Sequence, residues 1–141
     1  MIVVDASVAV KWLTAEKGGD TANSILTGGE DLAGPSLLRV EAAAAITRKA
    51  LFGEITPEAA YRSLDVWSDI VHGIVVLIPE DHDLPAALKL ALELNHPLQD
   101  CIYLALAERF DAPLVTADEK FAAKAHARYP RVRLLSQSPA R

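Results

Sequence analysis

The sequence predicts one α/β domain in which a mostly parallel sheet lies between two layers of helices. Short apolar segments that suit buried strands alternate along the chain with longer segments that suit helices. Strands separated by helical stretches pair in parallel through right-handed crossovers, which gives a three-layer α/β/α sandwich. The chain has 141 residues, 51% of them hydrophobic, which is enough for one core. We therefore expect residues 1–141 to form a single domain.

Five segments are predicted to be strands. Met1–Val4 is a continuous apolar run, as expected for a parallel strand that is covered on both faces. A second apolar run, Ile74–Ile78, stops at Pro79. The three other predicted strands are shorter, and they are Asp31–Ala33, Leu114–Thr116 and Val132–Leu135.

Seven segments are predicted to be helices, and several carry clear end signals. Thr56 followed by Pro57 is a capping hydroxyl before a proline at the first helical position. Gly53 and Gly73 follow two of the helical segments, where glycine commonly ends a helix. The predicted helices are Ser7–Leu13, Asp20–Leu26, Ser36–Leu51, Pro57–Val71, Leu84–Leu94, Pro97–Phe110 and Asp118–Arg128.

Composition excludes several classes of protein. A single cysteine, Cys101, rules out an intrachain disulfide, and no Cys/His cluster indicates a zinc site. The N-terminus resembles no secretory signal, because it lacks a basic stretch and Asp5 and Lys11 interrupt its apolar run. No apolar run approaches the roughly 20 residues of a membrane helix. We expect a cytoplasmic protein with no membrane association.

Charge is distributed unevenly along the chain. The net charge is −5, but residues 120–141 carry no acidic residue and leave 8 basic and 19 acidic side chains in residues 1–119. This basic tail is either a solvated helix face with a frayed end or a strip that contacts phosphates. Its six cations are Lys120, Lys124, Arg128, Arg131, Arg133 and Arg141.

Two acidic residues follow predicted strands. Ligands of open α/β sheets bind beyond the carboxyl ends of the strands, and Asp5 and Asp118 both lie there. Each has a simpler explanation, since Asp5 or Ser7 is suited to cap the first helix and Asp118 the last one. Thr116 and Glu119 also match a capping box.

Two further acids lie on predicted helices that face the core. Glu41 has only apolar neighbours one turn away on either side, so its carboxylate needs a partner or a metal. A salt bridge with Arg48 or Arg39 is the alternative. Asp100 begins a mostly apolar helix, where an acid is favoured by the helix dipole alone.

Taken together, the four acids favour a metal site. Neighbouring carboxylates repel one another unless a cation lies among them. Mg²⁺ and Mn²⁺ prefer hard oxygen ligands and need neither sulfur nor imidazole. Such a site suits hydrolysis of phosphodiester bonds, because the metal activates water and stabilises charge on the leaving oxygen.

Four separated segments resemble one known family. They are "VVDASV", "GPSLLRVEAAAA", "HPLQDCIYLALA" and "LVTADEKF". Their order and spacing resemble the PIN-domain ribonucleases, and among them the VapC toxins of bacterial type II toxin–antitoxin modules. The resemblance spans nearly the whole chain and implies a PIN-like three-layer fold. It implies that Asp5 and Asp100 are the leading metal ligands, that Glu41 and Asp118 complete the site, and that Ser7 and Thr116 support it by hydrogen bonds.

The same resemblance implies partners. It implies an endoribonuclease that uses Mg²⁺, with Mn²⁺ as a plausible substitute, and an RNA substrate. It also implies a homodimer and a toxin–antitoxin hetero-oligomer with a cognate VapB-like antitoxin. The helices of residues 36–71 are apolar enough to supply a dimer or antitoxin surface, whereas Trp12 and Trp67 are better explained as core residues.

Other interpretations remain open. The same site suits a Mg²⁺-dependent phosphohydrolase or a deoxyribonuclease, and a binding module with four structural acids is a non-enzymatic alternative. A phosphoacceptor signalling domain is disfavoured, because Asp5 has no adjacent acid and no lysine ends a late strand. Cys101 and Tyr103 are interpreted as core or edge residues, and the four histidines have no metal-ligand spacing, so His96 receives no role.

Overall fold

The fold is given by a computed structural model that describes residues 1–138. These residues form five strands and seven α-helices, which alternate in the predicted order. The strands are β1 (Ile2–Val4), β2 (Leu32–Pro35), β3 (Val75–Ile78), β4 (Leu114–Thr116) and β5 (Val132–Leu134). The helices are α1 (Ala6–Leu13), α2 (Gly19–Leu26), α3 (Leu37–Leu51), α4 (Pro57–Gly73), α5 (Leu84–Leu94), α6 (Leu98–Arg109) and α7 (Glu119–Arg128). A 3₁₀ turn, Leu135–Gln137, follows β5.

All five strands pair in parallel in the order β3-β2-β1-β4-β5. The chain therefore starts in the middle of the sheet, builds one half outward, and returns to build the other. In register, Val4 lies beside Val115, so β1 and β4 end next to each other. This boundary between the two halves is the topological switch point, where ligands of such sheets bind.

Helices cover both faces of the sheet. Right-handed crossovers place α1 to α4, which link β1 to β2 and β2 to β3, on one face. The chain then reverses direction, so α5, α6 and α7 lie on the other face. The predicted three-layer α/β/α sandwich is confirmed, and the sheet is entirely parallel rather than mostly so.

The predicted elements all form, with ends that differ by at most two residues. The clearest difference is β2, which was expected to stop before Gly34 and instead runs through Pro35. Gly34 permits this because α3 packs directly against it. A Cβ atom at Gly34 would lie 2.6 Å from Cδ2 of Leu38.

The core is centred on α6. Every residue from 101 to 107 is buried, which explains why this helix is apolar on all sides. Trp67 lies in the core as predicted and the partly buried Trp12 packs against it, with ring centroids 6.4 Å apart. Trp67 is fully buried and donates its indole N–H to the backbone oxygen of Arg39. Cys101 is also fully buried, in agreement with the predicted core role.

No helix within residues 1–138 combines the length and the apolar content that a bilayer crossing requires.

Candidate active site

Asp5 follows β1 directly and lies at the switch point of the sheet. It caps α1, since its Oδ1 accepts hydrogen bonds from the backbone N–H groups of Ser7 (3.1 Å) and Val8 (3.3 Å). Its side chain is nevertheless buried, with 5% of the residue exposed. Burial raises the pKa of Asp5 to about 6, against the lowering effect of hydrogen bonds from Ser7 and Thr116. Capping alone does not require such a buried carboxylate.

Ser7 and Thr116 connect the ends of β1 and β4. The Ser7 hydroxyl donates to Oδ1 of Asp5 and accepts a hydrogen bond from the backbone N–H of Ala117 at 2.8 Å. The two hydroxyl oxygens of Ser7 and Thr116 are 3.3 Å apart. Thr116 Oγ1 also accepts from the backbone N–H of Asp118 at 3.1 Å. Both residues that were expected to support the carboxylates thus hydrogen-bond around Asp5.

Glu41 projects from α3 towards the same region and is half-buried. Its hydrogen-bond partner is Tyr103, whose hydroxyl donates to Oε1 of Glu41 at 2.6 Å. Burial raises the pKa of Glu41; the Tyr103 hydrogen bond lowers it, the charge of Asp100 raises it, and Arg48 lowers it. The sequence suggested Arg48 or Arg39 as the partner, but the direct contact is made by Tyr103.

Tyr103 is a residue that the sequence reasoning missed. It is 1% exposed and lies on α6, one turn beyond Asp100. Burial and the hydrogen bond to Glu41 raise its pKa far above the ordinary value, and the charges of Asp5 and Asp100 raise it further. The hydroxyl therefore stays protonated and acts as a donor. The spacing of three residues from Asp100 was the available signal, because such residues share a helix face.

Asp100 lies in the first turn of α6 with a partly exposed side chain. Its charge raises the pKa of Asp5, of Glu41 and of Tyr103, so these groups surround one region. Oδ2 of Asp100 is 2.6 Å from Nε2 of His96, which the sequence reasoning also left without a role. His96 precedes the first residue of α6, so helical spacing alone does not indicate this contact.

Asp118 lies at the rim of the site. It is exposed and caps α7, with its Oδ1 accepting from the backbone N–H of Phe121 at 3.0 Å. The capping role that its sequence position allowed is therefore real. The hydrogen bond between its backbone N–H and Thr116 connects Asp118 to the Asp5 side of the site.

The donor set suits a hard divalent cation. Asp5, Glu41, Asp100 and Asp118 offer only oxygen atoms, and the charge of Asp100 acts on both Asp5 and Glu41. Within residues 1–138, no group of three or more His, Cys, Asp and Glu side chains is already gathered as a metal cluster. Burial is the main cause of the raised pKa of Asp5 and Glu41, and the charge of Asp100 adds to it. A cation among these acids would offset both effects.

The predicted basic strip is largely engaged in contacts with the protein itself. Arg131 hydrogen-bonds to the backbone oxygen of Asp111 and pairs with its carboxylate at 3.0 Å. Nε of Arg128 lies 3.5 Å from Oε1 of Glu108, and Nζ of Lys124 donates to the backbone oxygen of Asn95. The basic strip also includes two exposed cations, Lys120 on α7 and Arg133 on β5, and Arg141, which falls outside the described residues. The prediction that Arg131 and Arg133 bind RNA stays a prediction.

Comparison with known proteins identifies the fold. A family model described as PIN domain matches residues 2–127. No curated protein matches the chain significantly. Among solved structures, the crystal structure of PAE2754 from Pyrobaculum aerophilum is similar, with 24% sequence identity and a TM-score of 0.70 over 96% of this chain and 89% of that chain. A toxin–antitoxin complex from Klebsiella pneumoniae is also similar, with 16% identity and a TM-score of 0.68 over 96% and 98%.

At these identities the two structures support the fold alone. The family model, in contrast, spans both strands of the switch point and all four acids of the site. The chain therefore belongs to the PIN domain family.

Proposed function

We propose that this PIN domain is a Mg²⁺-dependent endoribonuclease, with Mn²⁺ as a substitute, and the toxin of a VapC-like toxin–antitoxin pair. PIN domains are typically metal-dependent nucleases. The observation that carries the proposal is the position of Asp5 at the carboxyl edge of a parallel sheet, buried and close enough to Asp100 for the two charges to interact, with Asp100 also acting on Glu41. Carboxylates that repel one another at a ligand-binding edge favour a divalent cation.

Asp5 and Asp100 would hold the cation, and Glu41 and Asp118 would complete the site directly or through water. When bound, the cation supplies Lewis acidity and lowers the pKa of a coordinated water. Asp5 must be ionised for this role. Because its pKa is about 6, it is mostly ionised at neutral pH even without a cation.

The chain's own residues orient the acids. Ser7 and Thr116 hydrogen-bond to Asp5, which favours its ionised form and fixes its side chain. Tyr103 stays protonated and holds one oxygen of Glu41. The exposed Asp118 and the partly exposed Asp100 mark the side from which a phosphodiester would approach.

The proposed antitoxin surface is a groove between α3 and α4. Apolar side chains line it although they face solvent, with Val40 59% and Leu64 46% exposed. An amphipathic antitoxin segment would cover these groups, and the similar toxin–antitoxin complex supports such a partner. We further propose a homodimer that assembles with the antitoxin into a hetero-oligomer. The groove is lined by Arg39, Val40, Ala43, Leu64, Asp65, Trp67, Ser68, Val71 and His72.

Cleavage assays test the proposed activity. The chain, purified free of antitoxin, is incubated with single-stranded RNA, structured RNA, DNA and a small phosphomonoester, in Mg²⁺, in Mn²⁺ or in EDTA. We expect cleavage of RNA that requires metal and is lost in Asp5→Asn, a variant that keeps the capping acceptor. The matched control is Asp69→Asn, which changes an exposed acid on α4.

Two outcomes would contradict the proposal. One is the absence of cleavage of every RNA with either metal. The other is cleavage that survives both EDTA and Asp5→Asn. Cleavage of DNA alone, or of the phosphomonoester alone, would support the alternative deoxyribonuclease or phosphohydrolase on the same acids.

A further inference from the structure

We propose that His96 is a positioning residue for Asp100, one that occupies Oδ2 of this carboxylate and leaves Oδ1 for the cation. This inference rests on the proposed metal-dependent function. It concerns a side chain outside the four acids. Its support is the fixed backbone, the ring contact and the hydrogen bond of His96.

The backbone of His96 is fixed on both sides. It lies in the three-residue link between α5 and α6. Asn95, the capping residue directly after α5, has a left-handed conformation with φ of 49°. Pro97 follows, and a proline restricts the residue before it to extended conformations. Lys124 of α7 donates to the backbone oxygen of Asn95 at 2.8 Å, which ties this link to α7.

The imidazole ring of His96 is fixed as well. It stacks on the ring of Phe121, with centroids 4.9 Å apart and an interplanar angle of 25°. Its side chain is only 6% exposed. Phe121 is itself fully buried, so the surface on which the histidine rests belongs to the core. The ring therefore has little freedom to turn away from Asp100.

The hydrogen bond assigns the two ring nitrogens. Nε2 lies 2.6 Å from Oδ2 of Asp100, whereas Nδ1 is buried and has no partner within residues 1–138. A carboxylate can only accept, so Nε2 carries the proton and donates it. Oδ1 of Asp100 accepts no hydrogen bond from residues 1–138 and remains the oxygen for a ligand.

The same contacts connect Asp100 to Asp118. Asp118 accepts from the backbone N–H of Phe121, and the Phe121 ring supports His96. One ring pair thus joins an acid on α6 to the acid that caps α7. Replacing only the donor atom of His96 should release Asp100 and leave the Asp118 cap in place.

Titration calorimetry of Mn²⁺ into the EDTA-treated full chain tests the inference. His96→Phe keeps a ring on Phe121 but removes the donor, and His96→Gln removes the ring but keeps an N–H donor. We expect Mn²⁺ affinity to fall about 10- to 100-fold in His96→Phe, as for other residues that orient metal ligands. His96→Gln should recover much of that loss. In RNA cleavage, kcat should fall while KM is preserved.

The control is His82→Phe, which changes an exposed histidine before α5 and should alter neither value. Thermal unfolding in EDTA shows whether each variant folds. Nitrogen NMR of the wild-type imidazole gives an independent readout, because it reports which ring nitrogen carries the proton without any substitution. A proton on Nδ1 alone would overturn the inference even if no variant folds.

The failures are distinguishable. Wild-type Mn²⁺ affinity in a folded His96→Phe overturns the role of His96 and leaves the proposed function intact. A wild-type chain that binds no Mn²⁺ and cleaves no RNA overturns the proposed function and, with it, any role of His96 towards a cation.

Discussion

Tyr103 donates a 2.6 Å hydrogen bond to Oε1 of Glu41, joining two helices on opposite faces of the sheet across 62 positions of the chain. The donor comes from the buried α6 and the acceptor from α3. The charges of Asp5 and Asp100 both raise the pKa of Tyr103. The hydrogen bond therefore lies beside the carboxyl edge of the sheet, close to these two acids. A core residue thus fixes the orientation of an acid in the candidate site.

Tyr103→Phe should damage the site more than the fold. The substitution keeps the ring but leaves Oε1 of the half-buried Glu41 without its donor, which costs about 1–3 kcal/mol of unfolding free energy. The pKa of Glu41 should rise, because this hydrogen bond lowers it. We expect weaker Mn²⁺ binding and a reduced kcat for RNA cleavage. Tyr61→Phe, at an exposed tyrosine, is the matched control. Unchanged Mn²⁺ affinity would show that Glu41 needs no orientation by Tyr103.

Asp5→Asn should stabilise the metal-free chain at alkaline pH. Burial raises the pKa of Asp5 from 3.8 to about 6, so between these values the folded state binds this proton more tightly than the unfolded state. Stability therefore falls as pH rises through this interval and stays lower above it. Removing the charge should add up to about 3 kcal/mol at pH 8 and little at pH 4.

Chemical denaturation in EDTA at both pH values measures this difference. Asp69→Asn again provides the exposed control. A destabilised Asp5→Asn at pH 8 would mean that the ionised carboxylate is fully compensated by its hydrogen bonds, contrary to the raised pKa.

Divalent cations should stabilise the folded chain through the acids. A ligand that binds only the folded state at 100 times its Kd adds about 2.7 kcal/mol. Thermal unfolding with increasing Mn²⁺ should therefore show a rising Tm for the wild type and a flat Tm for Asp100→Asn. EDTA should reverse the rise. An equal rise in both proteins would place the bound cation elsewhere.

Neutralising Arg131 and Arg133 should weaken RNA binding without affecting the metal. Each lost phosphate contact reduces the slope of log K against log salt by about 1. Arg131 already pairs with Asp111, so the Arg133→Gln change is expected to contribute more than Arg131→Gln. Binding of a catalytically inactive chain to RNA at several salt concentrations measures the slope. An unchanged slope in the double variant would show that neither arginine contacts RNA phosphates and that both are simply solvated surface residues.

Charge in the groove between α3 and α4 should block an antitoxin. The probe is the polypeptide encoded by a small reading frame immediately upstream, co-expressed with this chain. Val40→Asp combined with Leu64→Asp should prevent co-elution in size-exclusion chromatography. The matched control is Leu92→Asp on α5, which is 76% exposed and lies outside this groove. Loss of co-elution only in Leu92→Asp would move the antitoxin surface to α5.

Much of this fold could be predicted because local sequence patterns specify its strands and helices. The apolar runs at β1 and β3 and the Thr56-Pro57 start of α4 located elements to within two residues. The rule for ligands of parallel sheets then placed Asp5 and Asp118 at one edge. Both are also caps, and the structure explains why a cap and a buried acid need not be alternatives: one oxygen of Asp5 accepts backbone hydrogen bonds while the whole carboxylate is enclosed.

The residues that orient the acids were not predictable in the same way. Tyr103 was recognised as a core residue, but no local pattern shows that its hydroxyl reaches Glu41 on a distant helix. His96 lies four residues before Asp100 but outside α6, so the sequence alone does not show that its ring reaches the carboxylate. Orientation depends on tertiary packing, such as the stacking of His96 on Phe121, which sequence spacing does not encode.

The central position of β1 has a consequence during protein synthesis. β1 pairs with β4, which is translated more than a hundred residues after it. The hydrogen bond between Ser7 and Ala117 likewise spans 110 positions of the chain. Contacts this distant in sequence form only once the intervening chain has been completed. The hydrogen bonds that join the ends of β1 and β4 therefore form only after the chain through Asp118 has been synthesised.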